Sequence, residues 1–355
     1  MKTKSFFKAL FFLLIFVLYN LKALAQKPEA EPPIITQTKV KSADVDKITA
    51  TVAAKVRLAA IKAILNTTNA ADYPLPADVN ANEYILKQAY AELSEKFKNR
   101  FKENALKATT PNGRLRAFGT QTQVKLNTNI PVSRQISNVK FTGKINYTAS
   151  SMVAAVGASA TCSPSTKLSL TLNSVKCMHT TDDWGPEDEM YFSGFAVTPN
   201  GTIVKSPTFK LGDFSNKNPP MTKSYSRLIQ TFNIGSTDFP KKFNYIFIPV
   251  ESDGGSVSKF INSIVDLARK ELKDYLPNIP LINLDDIILD VLSSVFNDIW
   301  DYFFGNEVFK EIAISQNITS NKMCLDGSSK TGAEFRTISK GFSGKYYYYW
   351  QWRLE

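Results

Sequence analysis

The chain has 355 residues, with 43 Lys and Arg against 32 Asp and Glu, a formal net charge of +11 and a single histidine. That one histidine excludes a multi-histidine zinc centre and leaves only His179 for any Ser-His-Asp triad. No Walker loop, dinucleotide fingerprint or G-x-S-x-G elbow occurs, so the chemistries those motifs serve are set aside too.

Residues 1–26, MKTKSFFKALFFLLIFVLYNLKALAQ, have the layout of a secretory signal. Lys2, Lys4 and Lys8 precede an apolar run over residues 9–18, and Ala23-Leu24-Ala25 is a small-x-small cleavage site. The uninterrupted apolar run falls short of the ~20 residues of a spanning helix, so cleavage before Gln26 is expected rather than a retained transmembrane anchor. No cysteine precedes Cys162, which leaves no thiol for lipid attachment at the new N-terminus. The expectation is a soluble secreted or periplasmic protein that is not a lipoprotein. Its charge falls to +7 once four lysines leave with residues 1–25. Such a balance favours an anionic polysaccharide or lipid surface as partner, and export argues against nucleic acid.

After an extended Pro-rich segment, 26–41, the spacing predicts a helical region over 42–117. Ile48, Val52, Val56, Ala60 and Ile64 recur at near-helical intervals before the prolines of NTTNAADYPLP. A second helix is predicted from near Asp78, with Leu86, Tyr90, Leu93, Phe97 and Phe101 as its apolar stripe and Lys96, Lys98, Arg100 and Lys102 around it. From residue 118 the period changes. Segments at 123–129, 136–150, 167–177, 189–197, 227–234, 243–250, 308–315, 333–342 and 345–354 are short and rich in β-branched or aromatic residues. The fold class predicted is α+β: the N-terminal helical region, then an antiparallel β-sandwich over 118–355.

A helical insertion, 256–304, interrupts the strands, with a corner at Pro277 to Pro280. In its second helix Ile288, Val291, Leu292, Val295, Ile299 and Phe303 share a face, and Asp286, Asp290, Asn297 and Asp301 form an acidic back. A hairpin packed on an open sheet face is expected, since each carboxylate carried into a bilayer would cost several kcal/mol. Three cysteines, Cys162, Cys177 and Cys324, allow one internal bridge, and their spacing does not say which pair forms it. Cys177 and His179 stand two apart, so on a regular strand they would share a face.

The stretch TTDDWGPEDEMYF, 180–192, puts five carboxylates into a turn of a basic chain. Asp182, Asp183, Asp188 and Glu189, with Glu251 and Asp253 of VESDGG, are the candidate metal ligands, because hard oxygens on turns suit Ca²⁺. Trp184 is a candidate ligand contact. So are Tyr347 and Tyr349, which with Gln351 occupy one face of the strand YYYYWQW while Tyr346, Tyr348, Trp350 and Trp352 occupy the other. These turns, and the helical pair between Gly255 and FFGNEVF, resemble those of uncharacterised secreted bacterial proteins. Members carry a T-D-[DE]-x-G-x-x-D-E turn, matched at Thr181, Asp182, Asp183, Gly185, Asp188 and Glu189. A later E-x-D-G-G turn is matched at Glu251, Asp253, Gly254 and Gly255. The resemblance covers roughly 167–352 and implies no known activity. The leading expectation is a non-enzymatic secreted binding protein, calcium-dependent in its recognition of a cell-surface glycan or other anionic envelope component. The competing ones are a membrane-active, toxin-like protein using 256–304 and a carbohydrate-active enzyme using the acidic cluster.

Overall fold

The structure, a computed structural model, describes residues 32–33, 42–119, 123–139, 161–181, 187–215, 220–251, 256–275, 284–304, 309, 311–341 and 343–355. The chain divides into two compact units, Met1–Pro33 and Ile34–Glu355. The expected signal segment and most of the Pro-rich segment lie outside the described residues. Seven helices and nine antiparallel strands are described in the second unit.

Helix α1 (Ala43–Thr68) starts where Ser42 accepts a hydrogen bond from the Val45 amide, with Asp44 and Asp46 in the first turn against the positive end of the helix dipole. It is buried almost all round from Thr51 to Asn66. Around it pack α2 (Asn82–Ala91), α3 (Glu95–Lys107) and the short α4 (Pro111–Phe118) and α5 (Val132–Gln135). The single helix predicted from Asp78 is therefore two, broken at residues 92–94. The stripe Leu86, Tyr90, Leu93, Phe97, Phe101 is continuous across the break because both helices turn it to the same core, so the spacing gave no sign of it.

One sheet has the order β5-β1-β9-β8: β5 (Met221–Asn233), β1 (Lys167–His179), β9 (Gly344–Leu354) and β8 (Phe335–Gly341). The other has the order β3-β2-β6-β7, with β4 also on β2: β3 (Ile203–Lys205), β2 (Glu187–Val197), β6 (Lys241–Glu251), β7 (Ile312–Ile318) and β4 (Phe209–Ser215). Side chains of both sheets meet in one apolar cluster. Phe247 lies 4.6 Å from the Tyr348 ring and 5.4 Å from that of Trp350, and Phe192 is 6.2 Å from Trp350. On β6 the alternate residues Ile246, Ile248 and Val250 point the other way, into a second cluster with the helices. Strands β2 and β6 are thus buried on both faces, and Gly194 is needed on β2 because a Cβ there would collide with Tyr245 and the Ile246 carbonyl.

The helices on that second face are α6 (Ser256–Lys273) and α7 (Leu284–Phe304). The acidic back expected for the second of them is only partly solvated. Asp290 is 5% exposed, and on the same helix face Ser293 bonds Glu311, next to β7. Asp286 pairs with Lys242 of β6 at 2.5 Å, and Asp298 pairs with Arg57 of α1; Asp301 remains exposed. Residues 123–129 do not form the predicted strand. Their apolar members Val124 and Leu126 are buried, but the carbonyls of Thr128 and Ile130 accept bonds from Lys62 Nζ at 2.8 and 2.9 Å instead of a strand partner. Of 136–150, residues 136–139 are irregular and the remainder lies outside the described residues. β3 and β4 were not anticipated. They are short and partly polar, and Ser206-Pro207-Thr208 separates them. Edge strand β5 begins six residues before its apolar pattern, because its polar first half has β1 on one side only.

Helix α1 carries charge into this core. Lys55 Nζ bonds Glu271 Oε2 of α6 at 2.8 Å and Asn138 Oδ1 at 2.5 Å, and Asn82 Nδ2 takes the other Glu271 oxygen at 3.0 Å. Burial lowers the pKa of Lys62, and nearby Glu83 opposes that shift. Removing one partner of such a pair leaves the other desolvated and uncompensated. Glu271→Ala should therefore destabilise the protein by about 3–5 kcal/mol. The double change Lys55→Met, Glu271→Leu should recover much of that loss, both being read from urea unfolding by circular dichroism.

Candidate functional site

The two acidic segments come to the same end of the second sheet. Register pairs Met190 of β2 with Glu251 of β6, so Asp188, two residues before Met190, is a diagonal neighbour of Glu251 on the face turned to the first sheet. Asp188 is 1% exposed and Glu251 5%. Asp188 Oδ2 accepts the Thr181 amide at 2.8 Å and Oδ1 accepts the Thr181 hydroxyl at 2.7 Å, while the Tyr346 hydroxyl of β9 also donates to Oδ2. One carboxylate of the turn is therefore a clamp. It closes the loop on itself through Thr181 and joins the two sheets through Tyr346. Ionised, it is worth most as an acceptor of just such buried donors.

Glu189 points the other way along the strand and bonds Lys210 of β4 at 2.9 Å; Lys210 also meets Asp213 at 2.6 Å. Hydrogen bonds to Asp213 and Glu189 hold the Lys210 ammonium charged well above its ordinary range. Asp188 and Glu189, the two candidate ligands of the turn that are described, thus already spend oxygens on protein donors. Asp182, Asp183, Trp184 and Asp253 lie outside the described residues, and among the described residues no three His, Cys, Asp or Glu side chains group closely enough to hold a metal ion.

Beside this clamp lies the free thiol. Cys162 and Cys324 form the disulfide, with Cα atoms 5.4 Å apart, and Cys177 is left unbridged and fully buried opposite Tyr346 in the β1–β9 register. Cys177 and His179 do not share a face. The register shifts between them, so that Cys177 points into the core while His179 is exposed beside Lys345. Burial pushes the Cys177 thiol up to about 11, with a smaller contribution from the Asp188 charge. The Tyr346 hydroxyl is raised by burial first and then by Asp188.

A different surface is built on the outer face of the first sheet. On β9 the inward residues Tyr346, Tyr348, Trp350, Trp352 and Leu354 are buried, whereas Lys345, Tyr347, Tyr349 and Gln351 are partly exposed. Register places Tyr347 between Lys176 of β1 and Ile338 of β8, and Tyr349 between Ser174 and Arg336. The Arg336 guanidinium lies 5.0 Å from the Tyr347 ring centre and Lys345 Nζ 5.2 Å from it. Lys340 pairs with Lys345 at the next position. Two tyrosines thus stand among cations on one sheet face. Alternation in YYYYWQW was enough to mark the tyrosines and Lys345 beside them, but Lys176 comes from β1 and Arg336 and Lys340 from β8, and these became neighbours only through strand order.

Two outcomes are expected. Asp188→Ala should destabilise the fold by about 3 kcal/mol, since it strands a buried amide and two hydroxyls, and Tyr346→Phe by roughly 1.5–3 kcal/mol; thermal melts rank the pair. Burial holds Cys177 as the thiol and encloses its side chain, so a disulfide-exchange reagent should leave it unmodified in the native protein and titrate one thiol after unfolding. No family model, no curated protein and no solved structure matches this chain, so its own geometry carries the functional reading.

Proposed function

We propose that this is a secreted, non-enzymatic binding protein, an N-terminal helical region joined to a β-sandwich, and that it recognises an acidic cell-surface glycan through the outer face of the sheet β5-β1-β9-β8. The observation that carries this reading is the pair Tyr347 and Tyr349, partly exposed on one face among Lys176, Arg336, Lys340 and Lys345. A sugar ring offers an apolar face of C–H groups to an aromatic ring, and its carboxylates or sulfates meet the flanking ammonium and guanidinium groups. The Cys162–Cys324 disulfide agrees with an oxidising compartment, as does the signal-like start of the sequence. Helix α7 packs on α1 and the sheet and is tied to them by the Arg57–Asp298 and Lys242–Asp286 pairs, which favours the binding reading over the toxin-like alternative.

Binding through this face needs no metal, because its polar groups are cations and amides. Affinity electrophoresis through gels containing polygalacturonate or neutral dextran tests the proposal. Retardation is expected in polygalacturonate alone, falling about tenfold in affinity for Tyr347→Ala with Tyr349→Ala and unchanged by chelator. Retardation that survives the double substitution would remove this face from the interaction. Retardation lost on chelation would transfer the glycan site to the acidic end and its calcium ligands.

A further inference from the structure

Residues 95–119, which span α3 and α4, carry seven lysines and arginines against two glutamates. Both glutamates are neutralised within α3 itself, Glu95 by Lys98 at 3.0 Å and Glu103 by Lys107 at 2.6 Å. The segment therefore carries a local excess of positive charge, on elements other than those that form the tyrosine face. Its core obligations are met by Phe97, Phe101 and Ala105, with Phe101 packed 5.0 Å from Phe260 and 4.8 Å from Phe303. Two further leucines remain outside that core. Leu106 is 40% exposed and Leu115 58%.

Leu106 and Leu115 flank the short turn that joins α3 to α4. Lys102 and Leu106 are one turn apart on α3 and share its outer face. The α3–α4 turn is tight. The Thr109 amide bonds the Leu106 carbonyl at 3.0 Å, Thr110 bonds the Lys107 carbonyl at 3.1 Å, and the Thr110 hydroxyl caps Gly113. A Cβ at Gly113 would occupy the position of the Lys107 carbonyl, so α4 begins directly against the end of α3. Leu115 follows flanked by Arg114 and Arg116.

We infer that this corner seats on an anionic lipid bilayer, with Leu106 and Leu115 entering the acyl boundary and Lys102, Arg114 and Arg116 against the head groups. A single exposed leucine is ordinary on a protein surface. Two beside a cluster whose acids are already paired fit the interfacial pattern, in which apolar burial and charge attraction add. The leucines also decide between polyanions. An acidic polysaccharide or nucleic acid would match the cations but offers no apolar phase to the leucines, whereas a bilayer matches both. This surface is separate from the tyrosine face and does not rest on the glycan reading.

Co-sedimentation of the purified protein with phosphatidylglycerol–phosphatidylcholine vesicles, against vesicles of phosphatidylcholine alone, tests it. Binding is expected only to the anionic vesicles, and it should weaken as salt is raised. The pair Leu106→Ser, Leu115→Ser and the pair Lys102→Glu, Arg116→Glu should each lower the partition coefficient about tenfold or more, with circular dichroism unchanged. Tyr347→Ala with Tyr349→Ala should leave it unaltered, which separates this result from that of the glycan test. Absence of binding to the anionic vesicles overturns the inference. So does binding that the charge reversals abolish and the leucine changes do not touch, which would identify the corner as a site for a polyanion without an apolar phase.

Discussion

Strand β6 has to be apolar on both faces, and the rest of the structure follows from that constraint. Its odd positions, Phe243, Tyr245 and Phe247, face the aromatic rings of β9, and its even positions, Ile246, Ile248 and Val250, face helices. Water is excluded from both sides, so the sheet needs one cover on each. The first sheet supplies one, and α6 and α7 supply the other, which is why a helical hairpin is inserted immediately after β6 ends. Once α7 lies on the sheet its own outer side would be exposed apolar surface, and α1 closes it. Burial at roughly 25 cal/mol per Å² of apolar area drives each of these layers onto the next.

Charge then decides how the layers register. Apolar contact is non-directional and would tolerate several settings of one helix on another. Lys55, Arg57 and Lys62 on the central helix each have a distinct oxygen partner, on α6, on α7 and on the segment at 128–130 respectively. Moving α1 by one turn would leave all three charges buried without partners. At the other end of the molecule Asp188 does the same for the sheets, since its oxygens meet Thr181 and Tyr346 only in one relative setting. Buried polar groups of this kind contribute specificity more securely than net stability.

This arrangement separates what holds the protein together from what it can show to a partner. The most conspicuous acidic residue of the turn is consumed in a joint between sheets. The most conspicuous aromatic run is divided by strand alternation into a buried half and a presented half. The two candidate surfaces, one of tyrosines and cations on a sheet and one of leucines and cations on a helical corner, both use side chains that the core does not need.

Much was legible in the residues alone. Periodicities of about four and of two separated helices from strands. Alternation in YYYYWQW assigned each aromatic ring to a face, whereas the corner expected at Pro277 to Pro280 lies outside the described residues. These signals are local, set by the backbone geometry of a few residues, so the sequence by itself determined them. What it did not determine was anything requiring a second element. The burial of Asp290 depends on the elements packed against α7, the break at residues 92–94 is hidden because both helices face one core, and the carbonyls of Thr128 and Ile130 meet Lys62 rather than a strand. The choice of Cys162 and Cys324 as the bridge, the bulge that parts Cys177 from His179, and the capture of Asp188 by Tyr346, far along the chain, were likewise decided by tertiary structure. A side chain's partners are fixed by which strands and helices come to lie beside it, and that depends on the packing of the whole chain.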